Sequence, residues 1–271
     1  MSPETKPDFL INPEGLRIDG RRTDEMRPIE LKVGVLKQAD GSASIRQGNT
    51  YILAAVYGPR ELHPRHLTIN DRAYLRCVYR MATFSVPDRK RPAPSRRERE
   101  ISMVIANALK PALFLEDYPR TVVDVFIQVI QADGGTRCAA INAASLALAD
   151  AGIPMKSLVP AVAVGKAEGK LLVDLGDEED KYGGGDVPMA MLGTTGEITL
   201  LQQDGSFAKE ELVEAMGMGV TAMKYILELQ KEVLKRAYTK KVTIEGEDDE
   251  EYEDDLETDL GEAEIAGEED E

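Results

Sequence analysis

The sequence predicts a mixed α/β (α+β) fold, and three features of the chain lead to that prediction. Alternating apolar and polar residues mark several strands in the first third of the chain. Two helical segments separated by a long strand occupy the middle, and two hairpins with a long final helix follow. Strands and helices in this order are typical of one compact α/β body.

The early strands follow from side-chain alternation. Residues 28–37 alternate apolar and polar side chains, which is typical of a half-buried strand. Asp40-Gly41 is a turn signal that predicts a hairpin. Further strands are expected near 42–46, 51–57 and 75–81, and the prolines between 85 and 95 predict a loop.

The central helices have local start and stop signals. Ser95-Arg96-Arg97-Glu98 is a capping box, so a helix begins there. A long Val- and Ile-rich strand is expected over 121–132, and an Ala- and Leu-rich helix over 139–151, which Gly152 ends. Hairpins are predicted within 161–175 and 187–203, and the last helix over 208–236.

The net charge of −16 is concentrated at the C-terminus. Residues 246–271 contain 16 acidic residues and no Lys or Arg, so residues 1–245 are neutral overall, with 33 basic and 33 acidic residues. Such an acidic segment repels itself and buries little apolar surface, so we predict a disordered tail. Residues 1–13 are likewise predicted to be a flexible N-terminal segment, which leaves 14–245 as the folded domain.

Composition excludes several classes of protein. Apolar residues make up 42% of the chain, enough for a core, but no run is long enough to predict a membrane span or a secretory signal. Two cysteines are too few for a disulfide scaffold or a structural zinc site. We therefore expect a soluble, cytoplasmic protein with no membrane partner.

A basic region predicts a polyanionic partner. Residues 60–100 carry eleven Lys and Arg against five Asp and Glu, together with both histidines, in His63-Pro64-Arg65-His66. Clustered cations in an otherwise neutral body favour nucleic-acid binding, and the loop around Arg65 and His66 suits a single-stranded backbone. An ordinary solvated charged face is the alternative.

Two further patterns suit phosphate binding. Gly134-Gly135-Thr136-Arg137 lies between a strand and a helix, where glycine amides, a hydroxyl and a guanidinium can surround an anion. Arg96-Arg97 lies in the first turn of a helix, where cations oppose the helix dipole unless an anion joins them. A plain turn and local compensation by Glu98 and Glu100 are the alternatives.

An acidic cluster surrounds three glycines, Gly183 to Gly185. Its members are Asp174, Asp177, Glu178, Glu179, Asp180 and Asp186. Two carboxylates that converge across a glycine loop suit Mg²⁺ or Mn²⁺ bridging to a substrate phosphate, whereas an acidic surface loop is the alternative. Together with the phosphate turn and the basic region, this cluster suits phosphoryl transfer on a polynucleotide.

Seven motifs in order resemble the RNase PH family, and within it the catalytic RNase PH-like subunits of archaeal exosomes. The similarity covers about residues 14–238. The motifs are Gly41-Ser42-Ala43, Gly48-Asn49-Thr50, His63-Pro64-Arg65-His66, Pro94-Ser95-Arg96-Arg97-Glu98, Pro119-Arg120-Thr121, Ala132-Asp133-Gly134-Gly135-Thr136-Arg137 and 147–154.

The resemblance implies a phosphorolytic 3′→5′ exoribonuclease, which uses inorganic phosphate as co-substrate and releases nucleoside diphosphates. It implies an RNase PH-type fold of two pseudo-repeated βαβα-like halves, with 14–245 as the catalytic domain. By motif, Asp180 and Asp186 match the family's paired catalytic aspartates, which place a Mg²⁺ or Mn²⁺ ion. The matching phosphate-binding residues are Arg97, Gly135, Thr136 and Arg137, and the matching RNA-binding residues are Arg65, His66, Arg96 and Arg120.

The resemblance also implies partners. They are the 3′ end of single-stranded RNA, an inactive RNase PH-like paralogue that alternates with this subunit in a hexameric ring, and RNA-binding cap subunits. Two other functions stay open at this point: a non-catalytic RNA-binding ring subunit, and a stand-alone homohexameric phosphorylase that trims tRNA 3′ ends.

Overall fold

A computed structural model of the chain describes Pro7 and residues 9–244, with side-chain environments as far as Thr239. The mixed α/β fold class is confirmed. The strands within these residues are β1 (Ile29–Val33), β2 (Gly41–Gln47), β3 (Thr50–Glu61), β4 (Tyr74–Met81), β5 (Thr121–Gln131), β6 (Ala161–Ala167), β7 (Lys170–Val173), β8 (Gly185–Met191), β9 (Ile198–Leu201) and β10 (Asp204–Gly205). The helices are α1 (Arg96–Leu109), α2 (Thr136–Asp150), α3 (Asp177–Tyr182) and α4 (Lys209–Ile244), with 3₁₀ turns at Arg65–Leu67, Lys110–Ala112 and Leu115–Asp117.

The first sheet has the strand order β1-β2-β3-β5-β4, and only its β4–β5 pair is parallel among the described strands. Parallel strands bring their carboxyl ends to one edge of a sheet, and here Met81 of β4 pairs with Val129 of β5. The chain continues from these two ends into α1 and α2. Both helices therefore begin at the same edge of the sheet, which is where the candidate site lies.

The capping box at the start of α1 is confirmed. The Ser95 hydroxyl accepts from the Glu98 amide at 3.1 Å, and the Glu98 carboxylate accepts from the Ser95 amide at 2.7 Å. The second oxygen of Glu98 accepts from the amide of Met81 at 2.9 Å. One buried carboxylate therefore joins the first turn of α1 to the end of β4, which fixes the direction in which the helix leaves the sheet.

Helix α2 forms the centre of the molecule. It is buried on all sides and contacts strands of both sheets as well as α1 and α4. Small alanine side chains permit this close packing, and a helix that is buried all round needs no polar face. At its C-terminal end the backbone of β2 comes so close that a Cβ on Gly41 would lie 2.2 Å from the Ala151 nitrogen.

The second sheet has the order β10-β8-β6-β7, with β9 also paired to β8, and all of these pairs are antiparallel. Helix α4 packs on this sheet through Met223 and Ile226. The short helix α3 is formed by part of the acidic cluster, immediately before the three glycines. It begins after Gly176, whose amide donates to the Glu179 carboxylate at 2.8 Å.

The ends of the folded body differ in part from the prediction. Leu10 and Ile11, which we placed in the flexible segment, are buried with Leu172 and Leu175, so the body begins by residue 10 and not at residue 14. Two neighbouring apolar residues are too short a pattern to predict this packing. Residues 1–6 and 8 lie outside the described residues, as does the whole acidic tail, 246–271.

Candidate active site

A pocket of about 230 Å³ lies where α1 and α2 begin and where the second sheet meets the first. It collects all six residues predicted to bind phosphate or act in catalysis. They are Arg97, Gly135, Thr136, Arg137, Asp180 and Asp186. Lys90, Gly134 and Asp177 also line it. Cationic side chains and backbone amides from the first domain therefore face aspartates from the second half of the chain across the pocket.

The glycine turn opens α2 towards this pocket. Gly134 and Gly135 have φ angles of +69° and +63°, in the left-handed region that glycine adopts without strain. Among the described residues no side chain caps the α2 N-terminus, so the first amides of the helix are not paired by a cap. Unpaired amides at the positive end of a helix dipole are suited to an anion.

One nitrogen of the Arg137 guanidinium is hydrogen-bonded, and another has no partner within the described residues. Its Nη1 donates to the Gln202 side-chain oxygen at 2.7 Å. Its Nε is buried and has no hydrogen-bond partner within the described part of the chain. A buried unpaired donor on a guanidinium costs free energy unless a ligand fills the position, so the residue fits an oxyanion.

Thr136 is oriented by a tyrosine from β4. The hydroxyl of the fully buried Tyr79 donates to Thr136 Oγ1 at 3.0 Å. Burial raises the pKa of Tyr79, so the phenol keeps its proton at neutral pH and remains a donor. Because Thr136 accepts this bond, its own hydroxyl proton is available to a ligand in the pocket.

The two predicted aspartates come from neighbouring elements of the second sheet. Asp180 lies in α3 and is exposed, and Asp186 lies in β8 and is half-buried; both line the pocket. Desolvation raises the pKa of both carboxyls; the next cause for Asp186 is the charge of Asp180, whereas Arg97 lowers the pKa of Asp180. Asp204 of β10 pairs directly with Asp186 and raises both pKa values further.

The acidic side of the pocket fits a cation that retains most of its own water. Within residues 9–244, no group of three or more His, Cys, Asp or Glu is arranged to hold a metal ion. Mg²⁺ is commonly held by one or two carboxylates with waters and substrate phosphate completing its shell. Asp180 and Asp186 therefore fit a divalent ion shared with a phosphate, but not a dedicated protein cage.

The predicted RNA-binding residues do not line this pocket in the described chain. Arg65 and His66 lie in a 3₁₀ turn after β3, and Arg120 immediately precedes β5. In the sheet Glu61 pairs with Thr121, so all three lie at the opposite end of β5 from the glycine turn. At about 3.3 Å per residue this separation is on the order of 30 Å. Arg96 is exposed beside Arg97 at the start of α1.

The sequence analysis missed several residues of the site. Asp177 and Lys90 belonged to charged segments that were noticed, but nothing distinguished them from their neighbours. Tyr79 and Gln202 were expected only as strand residues, because hydrogen bonds across 57 and 65 residues of sequence leave no local pattern. None of the described helices is long and apolar enough to cross a membrane.

Comparison with known protein families assigns most of the chain. Residues 25–154 match domain 1 of the RNase PH 3′ exoribonuclease family, and residues 157–222 match domain 2. The first range contains the first sheet with α1 and α2, and the second contains β6 to β10 with the start of α4. The boundary between the two ranges therefore coincides with the passage from one sheet to the other.

Individual relatives agree with this assignment. The chain is 58% identical over 231 residues to the exosome complex component Rrp41 of Pyrococcus horikoshii, covering 85% of this chain and 93% of that protein. It is 54% identical over 235 residues to the Rrp41 of Methanopyrus kandleri, with 87% and 98% covered.

Solved structures share the fold. Rice Rrp46 superposes with a TM-score of 0.73 at 27% identity, covering 81% of this chain and all of that one. A chain of the Archaeoglobus fulgidus exosome with RNA bound to the active site gives a TM-score of 0.70 at 22% identity, with 79% and 92% covered. From both family domains and from relatives identical at more than half of the aligned positions, we conclude that this chain belongs to the RNase PH family of 3′ exoribonucleases.

Proposed function

We propose that the chain is the catalytic RNase PH-like subunit of an archaeal-type exosome and degrades RNA from its 3′ end by phosphorolysis. One observation carries the proposal: guanidiniums, unpaired helix amides and a threonine hydroxyl share a single pocket with two aspartates. The exosome assignment is supported by the names of the relatives, which are exosome complex components.

The phosphate side of the pocket binds the attacking anion. Arg97, Arg137 and Thr136 surround orthophosphate together with the amide of Gly135. A second anion, the last phosphodiester of the RNA, has to approach within bonding distance. Positive charge on both arginines lowers the repulsion between the two anions, and fixed donors hold the attacking oxygen in line with the bond that breaks.

The reaction exchanges one ester bond for an anhydride bond. An oxygen of hydrogen phosphate attacks the phosphorus of the terminal phosphodiester, and the bond from that phosphorus to the 3′ oxygen of the preceding nucleotide breaks. The proton of the hydrogen phosphate goes to this departing oxygen, which becomes the new 3′ hydroxyl. A nucleoside diphosphate leaves, and because the energies of the two bonds are similar, the enzyme can also add 3′ tails from diphosphates.

In this proposal Asp180 and Asp186 would hold a Mg²⁺ or Mn²⁺ ion. Such an ion, when bound, would supply positive charge that offsets the charge of the phosphates as they react. The two aspartates and Asp204 supply negative charge on one side, which balances the cations on the other.

The RNA and the partner subunits extend the site. Arg96 holds the backbone beside the pocket, whereas Arg65, His66 and Arg120 hold the strand further from its 3′ end. The subunit alternates with an inactive RNase PH-like paralogue in a hexameric ring that carries RNA-binding cap subunits, and the assembly works in the cytoplasm. The exposed apolar side chains of Phe84 and Met103 are consistent with burial in such an assembly.

The identity of the product tests the proposal. The assembly that co-purifies with the full chain is given RNA labelled within its chain, with and without phosphate, and the products are separated by thin-layer chromatography. We expect nucleoside diphosphates, and only when phosphate is present. Nucleoside monophosphates, or equal activity without phosphate, would refute phosphorolysis.

The composition of the purified assembly tests the exosome assignment. We expect the paralogue to co-purify in a ring with this chain, and the cap subunits to co-purify bound to that ring. An active homohexamer of this chain alone would favour a stand-alone trimming enzyme instead. Full activity of the ring after Asp180→Ala would indicate a non-catalytic subunit.

A further inference from the structure

Thr50 holds the glycine turn from outside the pocket. This residue is the first of β3, is completely buried and does not line the pocket. Its hydroxyl oxygen accepts from the amide of Asp133 at 3.1 Å and donates to the carbonyl of Gly134 at 3.0 Å. One side-chain oxygen is therefore hydrogen-bonded to the backbone on both sides of the Asp133–Gly134 peptide.

These two bonds determine the direction of a backbone donor. In a planar trans peptide the carbonyl oxygen and the following N–H point in opposite directions. Since the Gly134 carbonyl points at Thr50, the N–H of Gly135 points away from Thr50. Gly135 lines the pocket, so the hydroxyl of Thr50 fixes the orientation of a peptide that offers its amide to phosphate.

The turn needs such a constraint because its backbone is permissive. Gly134 and Gly135 are both left-handed and can adopt many other conformations at little cost. The neighbouring Asp133 is held separately: its carboxylate accepts from the Asn49 side chain at 3.1 Å and its carbonyl accepts from Arg27. Thr50 is the described side chain that binds the carbonyl of Gly134 itself.

We infer that Thr50 is a positioning residue for phosphate, acting through the Gly134–Gly135 peptide. The inference rests on the proposed phosphorolytic function. It assigns a role to the Gly48-Asn49-Thr50 motif, which the sequence analysis left without one. Loss of the hydroxyl lets the peptide rotate, so that the turn presents its amide to the anion for only part of the time.

A pair of variants separates the hydroxyl from the volume of the side chain. Thr50→Val keeps the shape and removes both hydrogen bonds, whereas Thr50→Ser keeps the hydroxyl. Thr199→Val is a matched control, because the buried Thr199 hydroxyl has no hydrogen-bond partner in the described chain. Phosphate is titrated at saturating RNA, and RNA at saturating phosphate, in the co-purified assembly.

We expect Thr50→Val to raise the KM for phosphate roughly tenfold, the effect of losing one or two net hydrogen bonds, with the KM for RNA unchanged. The KM for phosphate of Thr50→Ser and of Thr199→Val should stay close to that of the unmodified enzyme. If Thr50→Val does not fold, Thr50→Cys replaces it, since a thiol has a similar volume but bonds weakly.

Three outcomes would overturn the inference, and they are distinguishable. If the unmodified enzyme degrades RNA without phosphate, the proposed function is wrong and the inference is wrong with it. A phosphate-dependent parent with an unchanged phosphate KM in Thr50→Val refutes the positioning role alone. If Thr50→Val raises the KM values for RNA and for phosphate equally, and Thr50→Ser does the same, Thr50 contributes only to stability.

Discussion

Arg27 and Asp174 form a buried ion pair in which the guanidinium meets both carboxylate oxygens. Nη2 donates to Oδ1 at 2.6 Å and Nε donates to Oδ2 at 3.0 Å, and the Arg27 amide adds a third bond at 2.9 Å. The other terminal nitrogen of Arg27 donates to the carbonyl of Asp133. The pair thus links the N-terminal segment, the end of β7 and the glycine turn of the pocket.

The first prediction concerns acid stability. Burial alone would raise the pKa of Asp174, but the hydrogen bonds and charge of Arg27 hold it below its ordinary value of 3.8. A carboxyl whose pKa is lower in the folded protein than in the unfolded protein stabilises the fold. This contribution is complete above the pKa of the unfolded protein and is lost as the pH falls through the pKa of the folded protein. Asp174→Asn should therefore cost about 3 kcal/mol in the free energy of unfolding at pH 7, and less below pH 4.

Urea unfolding across the pH range measures this difference. Asp88→Asn, in an exposed loop, is the control and should unfold like the parent at every pH. A deficit of Asp174→Asn that stays constant down to acid pH would contradict the assignment of this pair to acid stability.

The second prediction concerns the aspartates. Asp180→Asn retains the size of the side chain and removes its charge, so turnover should fall by about 100-fold or more while RNA binding is largely kept. Single-turnover degradation and a filter-binding assay measure the two effects. Glu178→Gln, an exposed position on the same helix outside the pocket, should behave like the parent. Comparable losses in both variants would point to the helix and not to the carboxylate.

The third prediction concerns the support of Arg137. Gln202→Leu removes the acceptor that Nη1 contacts at 2.7 Å, which frees the guanidinium to move. The value of kcat/KM for phosphate should fall roughly tenfold, as for a hydrogen bond to a charged group. Gln203→Leu is the adjacent control, because Gln203 is exposed and bonds to the Gly205 carbonyl. An unchanged phosphate titration for Gln202→Leu would show that Arg137 needs no support.

The fourth prediction concerns Tyr79. Tyr79→Phe removes the hydroxyl that donates to Thr136 and leaves the packing of the ring intact. Loss of one such bond is worth about 1 kcal/mol, so the KM for phosphate should rise roughly fivefold. Tyr57→Phe, on the other face of the sheet and outside the pocket, is the control. A rise that is equal in both variants would argue against an effect through Thr136.

The fifth prediction follows from the length of β5. Arg65 and Arg120 lie on the order of 30 Å from the glycine turn, so they can contact only RNA that extends well beyond the pocket. Arg65→Ala and Arg120→Ala should weaken the binding of long RNA and should not change the KM for a dinucleotide substrate. Equal losses for both substrate lengths would place these side chains beside the reacting end in the assembly.

Local signals predicted much of the fold and the segments from which the pocket is built. The capping box at Ser95 and the Gly134-Gly135 turn depend on residues adjacent in sequence, so both could be identified without coordinates. Helix α3 was missed because six residues rich in Asp and Glu give no apolar stripe.

The rest of the site depends on contacts between distant positions. Thr50 bonds to a residue 84 positions away and Arg27 to one 147 positions away, and no periodicity encodes such pairs. The family resemblance supplied residue roles but not these supporting contacts. A motif identifies residues that family members share, but it does not say which atoms form hydrogen bonds.

The two sides of the pocket belong to different sheets, which has a consequence for heat inactivation. Arg97 lies in α1, which packs on the first sheet, and Thr136 begins the central helix α2, while Asp180 precedes, and Asp186 belongs to, β8 of the second sheet. A relative shift of about 1 Å between reacting groups can cost a hundredfold in rate, which is far less disturbance than melting requires. On warming, the enzyme should lose activity reversibly at temperatures where its circular dichroism is still that of the folded state.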